Sequence, residues 1–286
     1  MPFWYVFSLT RNKNQMKKQK YVLLIVVSLF ISLNVNAGWV ITQQSYDSDE
    51  GVETALIETV YLQDGIMKVV QSEMITMFDL NNETMTIMSP EKKVFWTGNI
   101  AGYKVEIKNA MKSAMNEQLA NAAEAQKEMI RKMYQGMMES IDDPSKFSGE
   151  EPEEYDLQIE NTNEKEKIAG RNAVKYQILV NGALKEEAWL SESDKVNNEF
   201  DIIKFYSVFG DFTSQAGTSV FYQTNEKYIE FSKKGFPLKT INYNGGYESI
   251  SEVTKLERAK IDNSEFEVPA DFKKVSLMEI GIGEQE

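Results

Sequence analysis

The chain has 286 residues, of which 31 are basic and 44 acidic, so its formal charge is −13, and it contains neither cysteine nor histidine. The acidic balance disfavours binding to nucleic acids and to anionic membrane surfaces. The lack of cysteine and histidine excludes Ser-His-Asp and Cys-His catalysis, typical zinc and copper sites, and disulfides.

The N-terminal segment has the three parts of a secretory signal peptide. A basic region containing Lys17, Lys18 and Lys20 precedes an apolar run at 21–33, and small residues follow in Val35-Asn36-Ala37. This pattern predicts cleavage after Ala37. The apolar run has 13 residues, whereas a membrane-spanning helix needs about 20, so a retained anchor is the less favoured alternative.

The start of the signal is placed at Met16 rather than Met1. Residues 1–15 fit no signal pattern, and we expect them to be an over-extended gene start. Removal of residues 1–37 takes away five basic residues and no acidic residue, which lowers the formal charge from −13 to −18. The sequence therefore predicts a strongly acidic periplasmic chain that begins at Gly38 and has no membrane span.

The first part of this chain is predicted to be a run of short strands. Asp64-Gly65 is a strong hairpin signal, and Asn81-Asn82 indicates another turn. Closely spaced strands with tight turns favour an antiparallel sheet, because parallel pairing needs long crossovers. The strands are predicted at 39–43, 52–62, 66–70, 74–80, 85–88 and 94–97.

A long methionine-rich helix is predicted at 104–141. Its apolar residues recur every three or four positions, as on one face of a helix. A helix of about 35 residues would be about 50 Å long, so it must curve, break or project beyond the sheet. The methionines of this stripe are Met111, Met115, Met129, Met133 and Met137.

An acidic linker is predicted at 142–156, because Asp142-Asp143-Pro144 stops the helix. Its carboxylates lack the ligand spacing of a calcium loop, which favours a solvated loop. Beyond it, strands resume at Leu157 and Asn181-Gly182 predicts a hairpin. Helices are predicted at 199–209 and 220–232, and strands at 238–243 and 247–256.

The order of several short motifs resembles the lipoprotein-carrier superfamily of Gram-negative bacteria. That superfamily includes the periplasmic lipoprotein carrier, its outer-membrane receptor and an envelope-stress regulator. The chain is most similar to the uncharacterised exported families within it. The motifs are Tyr61-Leu62-Gln63-Asp64-Gly65, Phe78-Asp79-Leu80-Asn81-Asn82 with Pro90 and Lys93, Ile168-Ala169-Gly170, Gly235-Phe236-Pro237-Leu238 and Phe266-Glu267-Val268-Pro269.

The resemblance implies an α+β fold in a single domain at 38–286. The expected architecture is an incomplete antiparallel β-barrel, with helices covering its concave face and an apolar cavity between them. The long helix at 104–141 departs from the family pattern.

Two sets of residues are candidates for lining a site for an apolar ligand. The five methionines are flexible and polarisable, which suits a deformable lid over an acyl chain or a peptide. Aromatic side chains near strand ends can line a ligand mouth. Both sets are also typical of an ordinary hydrophobic core. The aromatic candidates are Trp39, Trp96 and Trp189.

Two functions remain open at this point. The first is a carrier that holds a lipid, an acyl chain or a lipidated protein in the cavity. The second is an interaction or sensing module with a filled core, which docks an envelope protein or a second copy through the long helix. Neither requires a cofactor or a metal, and no pair of carboxylates stands out as an enzyme site, so we expect no catalytic activity.

Overall fold

Twelve strands form one open, mostly antiparallel sheet in the computed structural model, which describes residues 37–142, 155–215, 221–244 and 246–280. The predicted signal peptide before residue 37, and residues 143–154 of the predicted linker, lie outside this range. The strands are β1 Gly38–Asp47, β2 Leu56–Gln63, β3 Ile66–Val70, β4 Ile75–Asp79, β5 Thr84–Ser89, β6 Val94–Gly98, β7 Leu157–Ile168, β8 Arg171–Val180, β9 Ala183–Ser191, β10 Phe236–Asn244, β11 Tyr247–Ala259 and β12 Lys273–Lys274.

The sheet consists of two meanders of consecutive strands, one on each side of the central pair of β1 and β11. Its order is β12-β6-β5-β4-β3-β2-β1-β11-β10-β9-β8-β7. All neighbours are antiparallel except β12, which pairs with β6 in parallel. The pairing of β1 with β11 joins the N-terminal meander to the C-terminal one. The sheet is therefore continuous but not closed.

The tight turns form where the sequence predicts them. The backbone φ angle is 51° at Asp64 and 78° at Gly65, and 52° at Asn181 and 77° at Gly182. Positive φ at both central residues is the requirement of a type I′ hairpin turn, which matches the twist of the flanking strands. These two-residue turns fix the register of the strands on either side.

The helical elements are five α-helices and four short 3-10 helices within the described residues. The α-helices are α1 Ile100–Asn121, α2 Glu124–Asp142, α3 Ile202–Gln215, α4 Glu226–Ser232 and α5 Leu277–Ile280. The 3-10 helices are Val52–Thr54, Val196–Asn198, Phe221–Thr224 and Asn263–Phe266. None of the helices in these ranges is long and apolar enough to cross a bilayer.

The helical segment predicted at 104–141 is broken into two helices, which is one of the three outcomes that its length required. Ala122 has the extended angles φ −89° and ψ 145°, which end α1 before α2 begins. The two helices then run antiparallel, with an ion pair between Lys108 near the start of α1 and Asp142 at the end of α2. Breaking the helix lets each half bury apolar residues against the other, which a single projecting rod would leave in water.

The helix pair is anchored to the sheet at the first turns of α1. The side chain of Asn99 caps α1 by accepting a hydrogen bond from the Gly102 amide at 2.9 Å. The Glu106 carboxylate accepts hydrogen bonds from Trp96 Nε1 on β6 and from the Leu277 amide at the start of α5, both at 2.9 Å. This single side chain therefore joins a strand and two helices.

Two apolar clusters pack helices onto the sheet. In the first, the rings of Phe205 and Phe209 on α3 each lie 5.1 Å from the Phe78 ring on β4, centroid to centroid. In the second, Phe231 on α4 lies 5.1 Å from the Tyr176 ring on β8. The first cluster extends from β4 across the central strands, where it includes Ile41 on β1, Leu238 on β10 and Val253 on β11, and the second packs α4 onto β8.

Candidate ligand-binding site

A cavity of about 290 Å³ lies between the central strands and the segment that leads into α3. This volume is close to the lower end of the range for small-molecule sites, about 300–1,000 Å³. Its lining comes from β1, β2, β3, β10, β11 and residues 196–202. The lining residues are Ile41, Gln43, Glu58, Val60, Leu62, Met67, Val69, Val196, Asn197, Phe200, Ile202, Phe236, Pro237, Leu238, Lys239, Thr240, Ser251 and Val253.

One end of the cavity is buried and apolar. Ile41, Val60, Leu238 and Val253 are each at most 8% exposed, and Phe200 closes the side opposite the sheet. Ile41 and Val60 are direct partners in the pairing of β1 with β2, so they project from the same face of the sheet. This end can take an apolar group without leaving a polar group unpaired.

The other end of the cavity is half-buried and polar. Gln43 follows Ile41 on the same face of β1, and Glu58 precedes Val60 on the same face of β2. The Glu58 carboxylate accepts hydrogen bonds from Gln43 Nε2 and, at 3.1 Å, from Gln71 Nε2. We call Gln43, Glu58 and Gln71 the polar rim.

The segment that covers the cavity is anchored on several sides. The Glu199 carbonyl accepts a hydrogen bond from the Gly65 amide at 2.9 Å, and the Glu199 carboxylate lies 2.7 Å from Arg258 Nη2. Before this segment in the chain, Ser191 Oγ at the end of β9 donates a hydrogen bond to the Asp194 carboxylate at 2.6 Å. These contacts hold the cover against the sheet.

The predicted methionine candidates do not line this cavity. Met111 and Met115 are half-buried on α1, whereas Met129, Met133 and Met137 are 67%, 49% and 36% exposed on α2. These last three form a stripe beside the inward-facing Tyr134 and Ile141, and we call them the methionine ridge. The methionine that does line the cavity is Met67 on β3, which the helical periodicity gave no reason to select.

The three tryptophan candidates are buried in the first apolar cluster and do not line the cavity either. Trp39 lies under the Arg258 guanidinium, with 5.1 Å from the carbon to the ring centroid. Trp96 donates to Glu106. Trp189 lies between the ammonium groups of Lys175 and Lys239, at 5.0 and 5.4 Å. The three tryptophans therefore lie where residues of an ordinary hydrophobic core lie, which was the alternative to lining a ligand mouth.

Two buried carboxylates on β9 were not foreseen from the sequence. Glu186 is 1% exposed and Glu187 is 7% exposed, and neither lines the cavity. Glu186 accepts hydrogen bonds from the hydroxyl groups of Tyr222 and Tyr228, whereas Glu187 is paired with Lys175 at 2.8 Å. No cluster of acidic residues with the arrangement of a metal site occurs in the part of the chain that the structure describes.

Comparison with known proteins identifies a family. The profile of the family described as a domain of unknown function, DUF4412, matches residues 84–272. The chain belongs to this family. The DUF4412 match includes β5 to β11 and the helices between them, and so contains the cover and one wall of the cavity. No curated protein matches the chain in sequence.

Three of the solved structures that match are only distantly similar to this chain. PNGF-II matches with 11% identity and a TM-score of 0.35 over 85% of this chain and 32% of its own. The Pseudomonas aeruginosa MucA/MucB complex matches with 12% identity and a TM-score of 0.36 over 85% and 59%, and MucB alone with 11% and 0.31 over 88% and 65%. The chain thus spans less than two thirds of each of these proteins. The scores are too low to support a functional argument, and the lipoprotein-carrier resemblance stays a prediction.

Proposed function

We propose that this DUF4412 protein is an exported binding protein of the periplasm or cell envelope that holds an apolar ligand, rather than an enzyme. The observation that carries the proposal is the cavity, whose buried end is lined by aliphatic side chains and Phe200. In this proposal the sheet acts as an incomplete barrel, with 196–202 and α3 as its cover. The signal-like N-terminus supports export.

The size of the cavity points to one alkyl or acyl chain. A volume of about 290 Å³ suits a single narrow group better than a diacyl lipid. Each buried methylene contributes about 0.8 kcal/mol, so a chain of modest length would bind measurably. Such a chain is present in a single-chain lipid, in a fatty acyl group and in the acylated end of a protein.

The proposal is tested by narrowing the cavity. Val69 lines it from β3, whereas its neighbour Val70 projects from the other face of the same strand. We expect Val69→Phe to weaken binding of the environment-sensitive dye N-phenyl-1-naphthylamine about tenfold, because about two methylene equivalents of buried contact are lost. The measurement is a fluorescence titration of the secreted form beginning at Gly38.

Val70→Phe is the matched control, since it adds the same ring outside the cavity. Equal affinities for the two variants, or no dye binding by the unmodified protein, would contradict the proposal. Native mass spectrometry of protein taken from its own periplasm, followed by organic extraction, would then identify the natural occupant. Consistently empty protein that also fails to bind a fluorescent fatty acid would rule out the carrier function.

A second candidate function is docking of an envelope protein through the methionine ridge of α2. The exposure of Met129, Met133 and Met137 favours it, because methionine adapts to varied apolar partners. We expect a photo-crosslinker at position 133 to trap a discrete partner in intact cells. The control is position 135, which is exposed on the opposite side of α2. The same adducts from both positions would contradict docking through this ridge.

A further inference from the structure

The electrostatics of the cavity entrance indicate which ligand head group it accepts. We propose that the site prefers a single alkyl chain with a cationic ammonium head over one with a carboxylate head, and that Glu58 makes this selection. The inference rests on the proposed function, since it assumes that the chain occupies the apolar end. The inference concerns the polar end of the cavity and the ligand group that would lie there.

Glu58 is placed where a head group would lie. It is half-buried, lines the cavity and lies on the same face of β2 as Val60 and Leu62, which line the apolar part. A chain that fills the buried end along these strands therefore brings its polar end next to the Glu58 carboxylate. The adjacent Leu56 on the same face is 72% exposed, so the strand continues beyond the rim into solvent.

The Glu58 carboxylate is held in position by two neutral donors. Its two oxygens accept hydrogen bonds from the side-chain amides of Gln43 and Gln71. Among the described residues, no lysine or arginine forms an ion pair with it. The lysine that contributes to the lining, Lys239, instead pairs with Glu252 at 3.3 Å and lies over the Trp189 ring.

The surrounding sequence reinforces the negative charge at the entrance. The stretch from Gly38 to Met67 forms β1, β2 and the start of β3, and it contains six acidic residues and no basic one. The loop between β1 and β2 starts just past the rim, where β1 ends. Four of the acids lie in that loop or at its edge: Asp47, Asp49, Glu50 and Glu53.

A partly desolvated carboxylate attracts an ammonium group and repels a second carboxylate. The two amide donors do not cancel this charge; they fix the orientation of the carboxylate and leave it acceptor-only. A fatty acid would therefore have to place its own carboxylate beside that of Glu58 at the polar rim. An alkylammonium would complete an ion pair there, shielded on one side by the protein.

The test compares three ligands with the same ten-carbon chain: decylammonium, decanoate and 1-decanol. Their affinities are measured below micelle-forming concentrations, by displacement of N-phenyl-1-naphthylamine from the form beginning at Gly38 in about 20 mM salt. We expect decylammonium to bind at least about fivefold more tightly than decanoate, with decanol between them. Raising the salt concentration should narrow the difference.

The Glu58→Gln variant separates charge from shape, because it preserves the size of the side chain. Its oxygen still accepts one of the two amide hydrogen bonds, and the other re-forms when the amide of Gln43 or Gln71 turns over. We expect the decylammonium preference over decanoate to fall below about twofold while decanol binding is unchanged. Equal binding of decylammonium and decanoate by the unmodified protein, with decanol still bound, would overturn this inference alone. A preference that survives in Glu58→Gln would also overturn it, whereas failure of all three ligands to bind would overturn the proposed function itself.

Discussion

Glu186 and Glu187 show how two neighbouring identical residues acquire opposite electrostatic behaviour. Burial is the largest influence on Glu186 and raises its pKa, and the hydroxyl donors Tyr222 and Tyr228 offset only part of the effect. Burial also acts to raise the pKa of Glu187, but hydrogen bonds from Lys175, Gln177 and Tyr243 together outweigh it and lower that pKa. The alternation of β9 sends the two carboxylates to different faces of the sheet.

The raised pKa of Glu186 predicts a specific dependence of stability on pH. The folded state binds this proton more tightly than the unfolded chain, so the stabilisation is fully present below the unfolded pKa near 4.5. It is lost as the pH rises through the higher folded pKa. We expect Glu186→Gln, which stays neutral, to gain stability relative to the unmodified protein between pH 4 and pH 8, by on the order of 1 kcal/mol.

Glu187→Gln is the matched control because the sign is reversed. In the unmodified protein, folding lowers the pKa of Glu187. The stabilisation that Glu187 contributes is therefore present above the unfolded pKa and is lost as the pH falls through the folded pKa. This variant should be less stable than the unmodified protein at pH 8, and the gap should close on acidification. Urea denaturation at several pH values measures the free energy of unfolding of both variants. If the two free energies changed in parallel with pH, the opposite pKa shifts of Glu186 and Glu187 would be contradicted.

The same contacts affect the tyrosines. Burial, with the nearby Glu187 carboxylate, raises the pKa of Tyr243 to about 12, and burial beside Glu186 raises the pKa of Tyr222. Both hydroxyls therefore remain donors throughout the range in which the carboxylates titrate. Tyr222, together with Tyr228, helps to hold the 3-10 helix and α4 on β9, whereas Tyr243 links β10 to β9.

At the scale of elements, the sequence predicts those features that depend on local interactions. Asp64-Gly65 and Asn181-Gly182 adopt the predicted turns because positive φ is a property of a few neighbouring residues. The strand at 66–70 is predicted with the bounds that the structure has. Each of these elements is specified within about ten residues.

Features that depend on packing between distant segments were not predictable. The length of the segment at 104–141 indicated that it could not remain one straight helix on the sheet, but not where it breaks. The break falls at Ala122, and alanine has the highest helix propensity. The break is stabilised by the contacts that form when α2 packs back along α1. The periodicity likewise predicts an apolar stripe that contains Met129 and Met133, but not that Tyr134 rather than the stripe would face inward.

At the scale of the whole molecule, the cavity results from the order of strands in the sheet. Ile41 and Val253 are far apart in sequence and come together only because β1 pairs with β11. The central strands carry buried residues of the first cluster, and the cavity lies between these strands and the segment that leads into α3. A search for aromatic or methionine patterns could not find it, because most of its lining is ordinary aliphatic residues that alternate along strands.

The continuous sheet also predicts that the two apolar clusters unfold together. The second cluster, which contains Phe231, has no tryptophan, whereas Trp39 and Trp96 lie in the first. The hydrogen-bonded strands from β8 to β1 link the clusters without interruption. Phe231→Ala should therefore lower the free energy of unfolding reported by these tryptophans, by about 3–5 kcal/mol.

The experiment uses the form beginning at Gly38 with Trp189→Phe, so that fluorescence reports only from Trp39 and Trp96 in the first cluster. Denaturant curves from fluorescence and from far-ultraviolet circular dichroism should coincide, because cooperative unfolding leaves no half-folded sheet. In the Phe231→Ala variant both curves should shift by the same amount. A fluorescence transition that stays in place while part of the dichroism signal is lost earlier would mean that the two clusters unfold separately and that the continuous sheet does not couple them.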